Sequence, residues 1–190
     1  MNSGLGLLLA ALVLAACVQS AVPLLAGMDS ATPLPDDFVL VMAGDKPDAN
    51  RFAREGDVYV DLDDSSRAAY RLVALDDRVG ASGPFFMAVV TNGRSTGADY
   101  GLAEITSVEI VVHGFDAREL AASLGMPVGD YGVDVETDGD LLTLFRRVAS
   151  DAVAGKTKTA HYRVLDLADP AQRAEAEIAI EQTRKAREAE

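Results

Sequence analysis

The chain has 190 residues, of which 49% are hydrophobic and 25% charged, enough apolar mass for the core of one domain and cramped for two. Its 17 Lys and Arg stand against 30 Asp and Glu, a formal net charge of -13, which leaves no basic surface to neutralise phosphates and argues against nucleic acid as a partner. The first 28 residues carry no charged side chain and basic residues never run beyond pairs, so polybasic adhesion to an anionic bilayer is disfavoured too.

Leu5 to Val18 is a run of Leu, Ala, Val and Gly with one Cys near its end, stopping at Gln19 and Ser20. Crossing a bilayer core takes roughly 20 apolar residues, so the run fits the apolar stretch of an export signal that is later removed. Leu14-Ala15-Ala16-Cys17 resembles the lipobox of bacterial lipoproteins. The resemblance implies that Cys17 is joined to diacylglycerol, with acyl chains of the palmitate type, and that residues 1–16 are then cut away as a signal peptide. Small residues ahead of the cut suit the peptidase, and the thiol accepts the lipid. Cys17 is the only Cys, so no disulfide forms within the chain. Cutting after Ser20, which releases a soluble exported chain, is one alternative, and an uncleaved anchor or no export is the other. Val18 follows the Cys where this family places Asp for retention at the inner membrane, so the expected address is the bacterial cell envelope, lipid-anchored at the outer membrane and facing the periplasm.

Residues 17–35 mix Ala, Ser, Pro and Gly without periodicity, which predicts a tether between the lipidated Cys and a domain. From Asp29 to Asp64 ten carboxylates stand against Lys46, Arg51 and Arg54; this acidic first half favours a basic or cation-carrying partner, or simply keeps an exported domain dispersed. Phe38 to Ala43 and Val58 to Val60 read as two strands joined by a polar loop. Tyr70, Leu72 and Ala74 alternate as a strand. Phe85 to Thr91 and Ile105 to His113 are rich in aromatic and β-branched residues and suggest a hairpin with a long loop starting at Asn92-Gly93.

Asp116, three residues before Glu119, opens a short helix that ends at Gly125. Tyr131 to Glu136 alternates apolar and acidic residues as a half-exposed strand. Leu141, Leu142, Leu144, Phe145, Val148, Ala149 and Ala152 then form an apolar helical stripe up to Gly155. His161 to Leu167 is a final strand, and Asp169-Pro170 caps a C-terminal helix rich in Ala, Glu and Arg. The expected architecture is a single α+β domain over residues 36–168, followed by a C-terminal helix at 169–190. It consists of a mixed or antiparallel sheet of five or six strands with two or three helices covering one face.

Asp134, Glu136 and Asp138, followed by Gly139, match the first half of a calcium-binding loop, but Phe145 stands where such a loop needs its bidentate Glu, so a strand-to-helix turn is expected and no metal. Asp61, Asp63, Asp64 and Ser65 make a similar cluster, read as turn or helix capping. His113 and His161 are the only imidazoles. No Gly-x-Ser-x-Gly, His-Glu-x-x-His or Cys-x-x-Cys pattern occurs, which removes the common hydrolase and zinc signatures. The best candidate for ligand or partner contact is the loop from Asn92 to Gly101, where Asn92, Arg94, Ser95, Thr96, Asp99 and Tyr100 supply directional groups.

These readings lead to a non-catalytic envelope lipoprotein that presents an acidic domain for binding or assembly. It needs no cofactor, and its partners are the membrane, through the lipid, and an envelope protein or ligand. The alternatives are an exported carboxylate-based hydrolase, in which acids such as Asp61 and Asp63 converge with His113 or His161, and a small-ligand carrier with a sizeable apolar cavity between sheet and helices.

Overall fold

A computed structural model describes residues 18–42, 48–63, 67–92, 96–129 and 132–189. Residues 1–16, expected as a signal peptide, and Cys17, Asp64, Ser65, Arg94, Ser95 and Tyr131 lie outside the described residues. Ten strands form: β1 (Val18–Ser20), β2 (Asp37–Met42), β3 (Ala49–Glu55), β4 (Val58–Asp61), β5 (Ala69–Val79), β6 (Pro84–Thr91), β7 (Ala98–Ile105), β8 (Glu109–Gly114), β9 (Val133–Asp134) and β10 (Lys158–Asp166). Three helices join them: α1 (Ala117–Ser123), α2 (Asp138–Val153) and α3 (Pro170–Glu188).

Strands β2 to β8 run up and down, each antiparallel to the next, and β10 returns between β8 and β2. The result is a closed barrel of eight antiparallel strands with β1 and β9 added outside the ring, which corrects the expected sheet of five or six strands. Closure leaves the ring without a free edge. The extra strands arise where the apolar pattern is thin. Strand β3, expected as a polar loop, turns only Asn50 and Phe52 toward the inside while Arg51 lies exposed. Ile105 to His113, expected as one strand, splits at Thr106, whose Oγ1 accepts from Val108 N and Glu109 N and so turns the chain from β7 into β8.

Period-two alternation sorts each strand. Facing inward are Phe38 and Leu40 of β2, Phe52 of β3, Tyr59 of β4, Tyr70 and Leu72 of β5, and their counterparts on the other strands, all in one buried cluster. Four rings fill the middle: Phe38 stacks on Phe52 at 5.4 Å, Tyr59 meets Phe38 edge-on at 5.6 Å, and Tyr70 meets Phe52 at 5.9 Å. Leu34 plugs one end, its N–H donating to the Tyr59 hydroxyl, which donates back to the Leu34 carbonyl. Near the other end Asn50 donates to Asp61, and Arg187 of α3 reaches Asp48 and Asn50. This apolar inside is the reverse of a lipid-embedded barrel, whose apolar side faces outward. Among the described residues no helix is long and apolar enough to cross a membrane.

The helices cover two separate patches of the outer wall rather than one face. Helix α2 begins at Thr137, whose side chain accepts from Asp140 N, and buries Leu141, Leu144, Phe145 and Val148 against outward residues of β5, β6 and β7. That agrees with the expected stripe. Helix α3 is capped by Asp169, which accepts from Ala171 and Gln172 N–H groups. It buries Ala176 and Ala179 against Val39 of β2 and Leu165 of β10.

Residues 18–35, expected as a loose tether, pack against the barrel. Strand β1 pairs antiparallel with β7 and parallel with β9, so Val18 is 1% exposed. The Tyr100 hydroxyl shares a hydrogen bond with Ser20 Oγ and accepts from Leu24 N. Arg71 donates to the carbonyls of Leu24, Leu25 and Met28. Leu25 is fully buried at a left-handed φ of 63° and donates its N–H to Asp138. Gly97 lets this strap approach, because a Cβ there would overlap the Ser20 carbonyl. The sequence missed this because Leu24 and Leu25 are apolar residues without a period.

Candidate functional site

The outer faces of β7 and β8 carry an unexpected polar cluster. Alternation along β7 turns Tyr100, Leu102 and Glu104 outward, and along β8 Val111 and His113. In the β7–β8 register Leu102 lies opposite His113 and Glu104 opposite Val111, so Glu104 and His113 are diagonal neighbours on one face, within side-chain reach. Their side chains are 5% and 3% exposed, with Glu104 Oε1 3.0 Å from His113 Nε2.

Each end of this pair is held. Glu104 Oε2 accepts from the backbone N–H groups of Ser82 and Gly83 in the β5–β6 turn, at 2.5 and 3.1 Å. Gly80 lies so close that a Cβ there would overlap the carboxylate. On the far side, His113 Nδ1 is 2.9 Å from the Thr157 hydroxyl, and the Phe85 ring packs 5.6 Å from the imidazole. A carboxylate only accepts, so the proton sits on Nε2 and Nδ1 is left to accept from Thr157. Burial holds the His113 pKa below the ordinary histidine value, working against the pull of Glu104. Neutral imidazole in one tautomer is therefore the resting form.

Thr157 stands in the wall of an open cleft of about 300 Å³ between α1, α2 and the turn that leads into β10. Its walls include Phe115, Leu120 and Val148, which are apolar, and Arg147 and Lys156, which both face Asp151 at 3.1 and 3.8 Å. Phe115 also packs edge-on against Phe145 of α2 at 5.9 Å. The chain carboxylate, imidazole, hydroxyl thus runs from a buried turn to a residue that lines a solvent-facing cleft, and it places a base beside the Thr157 hydroxyl.

The barrel interior offers far less room. Its void is about 40 Å³ and is lined by Phe38, Phe52, Tyr59, Tyr70 and other apolar residues. Cavities that hold small molecules run from about 300 Å³ upward. A second open groove of about 350 Å³ lies between α3 and β3, where Arg51 is ion-paired with Asp37 at 2.6 Å.

The residues singled out from sequence scatter. Tyr100 is fully buried under β1, so it braces the fold and is not a loop contact. Asp99 also belongs to β7, half-buried, and burial raises its carboxyl pKa. Asn92 and Thr96 remain in the β6–β7 connection, with Thr96 exposed. Asp134 accepts from Gln19, Asp138 caps Leu25 N, and Glu136 lies exposed beside them; among the described residues no cluster of His, Cys, Asp and Glu is arranged to hold a metal. Asp61 and Asp63 serve the β3–β4 region, Asp61 accepting from Asp63 N and Asp63 from Arg51 N. They do not meet a histidine: His161 pairs with Glu109 on the surface at 2.9 Å. Sequence reasoning missed Glu104 and Thr157. The legible signal for Glu104 is an acid placed between Ala103 and Ile105 in phase with outward Leu102; Thr157 carries none. Compared with protein-family models, with curated proteins and with solved structures, the chain matches none.

Proposed function

We propose that this chain is a lipid-anchored protein of the bacterial envelope that presents its acidic barrel for binding or assembly. The observation that carries the reading is that Val18–Ser20, which follow Cys17 directly in the sequence, are paired on both sides, with β7 and with β9. A cut before Cys17 keeps Val18–Ser20 and their pairing, whereas a cut after Ser20 removes a strand paired on both sides. The fold thus favours the lipobox boundary over the alternative one. Because Val18 follows Cys17 directly, a lipid on Cys17 would be attached next to the paired segment and would keep the domain near the bilayer. The filled barrel supports an outward-facing role, since its void of about 40 Å³ holds little more than a water molecule.

The test is the intact mass and N-terminal peptide map of the protein from its native membrane fraction. An acylated chain beginning at Cys17, which a Cys17→Ala variant releases to the soluble fraction, supports the proposal. A chain beginning at Ala21 or retaining Met1 overturns it. Crosslinking in place then identifies the partner.

A further inference from the structure

We propose that the cleft beside Thr157 is an acyl-transfer site for small uncharged carboxylic esters, with the Thr157 hydroxyl as nucleophile and His113 as its base. This goes beyond a binding role and does not depend on the lipid anchor. Three independent features converge. The Thr157 hydroxyl is 2.9 Å from His113 Nδ1, and Glu104 Oε1 is 3.0 Å from Nε2. Glu104 is itself fixed by two backbone N–H groups. Of the three residues Thr157 alone lines a cleft, of about 300 Å³, while the His113 side chain is 3% exposed. A purely structural His–Glu pair also needs a partner at the second ring nitrogen, but it does not need that partner to line a cleft. The walls hold Asp116, Glu119 and Asp151 against Arg147 and Lys156, which disfavours anionic substrates, while Phe115, Leu120 and Val148 supply apolar contact for an uncharged one.

The step balances without any further reactant than water. Thr157 Oγ1 passes its proton to His113 Nδ1 as it bonds to the ester carbonyl carbon. The bond from that carbon to the alcohol oxygen then breaks, and the proton moves from Nδ1 to the departing alcohol. Water repeats the sequence on the acyl-threonine, leaving a carboxylic acid and the original hydroxyl. Glu104 acts as a positioning residue: it keeps the proton on Nε2 and stabilises the transient imidazolium.

The test uses the purified domain with p-nitrophenyl acetate, and a fluorophosphonate probe followed by peptide mass spectrometry. Expected are turnover above the buffer blank, a phosphonyl adduct on Thr157, a loss of at least about 100-fold in Thr157→Val and retention of activity in Thr157→Ser. Thr157→Val leaves the buried His113 Nδ1 without its partner, so its folding is checked by circular dichroism and Tm alongside activity, whereas Thr157→Ser keeps the hydroxyl. Glu104→Asp is expected to keep part of the activity and to shift the pH profile. Absence of turnover in the wild type, wild-type rates in Thr157→Val, or an adduct elsewhere overturns the proposal. None of these results bears on whether Cys17 is acylated.

Discussion

Gly80→Ala isolates the Glu104 anchor with a single methyl group. The added Cβ would overlap the Glu104 carboxylate, which must retreat by on the order of 1 Å to regain ordinary contact. An exposed carboxylate would swing aside at little cost. Here it is 5% exposed and accepts from Ser82 N, Gly83 N and His113, so retreat breaks bonds that cannot re-form with water. Hydrogen bonds to charged groups contribute about 1.5–3 kcal/mol each, and loss of two at the lower figure gives about 3 kcal/mol. For a domain of this size that lowers Tm by roughly 6–12 °C. The check is chemical denaturation of the single variant and of a double-mutant cycle with Glu104→Ala. Once Glu104 is truncated the methyl meets open space, and Gly80→Ala should be neutral or stabilising by about 0.5 kcal/mol through the unfolded chain. A cost that is the same in both backgrounds, or below about 1 kcal/mol in the wild type, refutes the reasoning.

Other perturbations read different parts of the fold. Tyr100→Phe removes the hydroxyl that holds Ser20 and Leu24 and leaves a buried N–H unpaired, so about 1–3 kcal/mol is expected to be lost; faster hydrogen exchange at Leu24 would locate the loss in the strap. Phe145→Ala empties a site that is fully buried in the α2 stripe, and urea denaturation should show a cost of about 3–5 kcal/mol. His113 titrates below its ordinary value when folded, whereas in the unfolded chain it titrates near about 6.5. Just below that pH the unfolded state binds more protons, so the stability due to neutral His113, complete above it, declines toward the folded pKa and then levels off. The slope from this one group is at most about 1.4 kcal/mol per pH unit, and His113→Gln should flatten the pH dependence in that window. If the variant retains the full slope, His113 is not its source.

The elements written in strong local patterns were legible in the sequence. The stripe Leu141, Leu144, Phe145 and Val148 specified α2, Asp169-Pro170 specified the start of α3, and Phe85 to Thr91 specified β6, because a helix or strand face records its burial at its own period. Strand β3 was not legible, since Asn50 and Phe52 are its only inward pair in a stretch otherwise broken by Arg51, Arg54 and Glu55. The strap was not legible either, because its anchors, Tyr100, Arg71 and Asp138, lie 43 to 113 residues from the groups they hold.

By itself, the sequence determined a single cysteine at the end of an apolar N-terminal run, an excess of acidic over basic residues, and the local patterns of the helices that pack on the outside. Closure of the barrel was decided only in three dimensions, when β10 returned to pair with β2 across more than a hundred residues. So was the site, because Glu104, His113 and Thr157 meet through strand register and one turn. Local periodicity reports which side of an element is buried. It carries no information about which distant side chain will share that burial, and the chemistry of this cleft depends on that pairing.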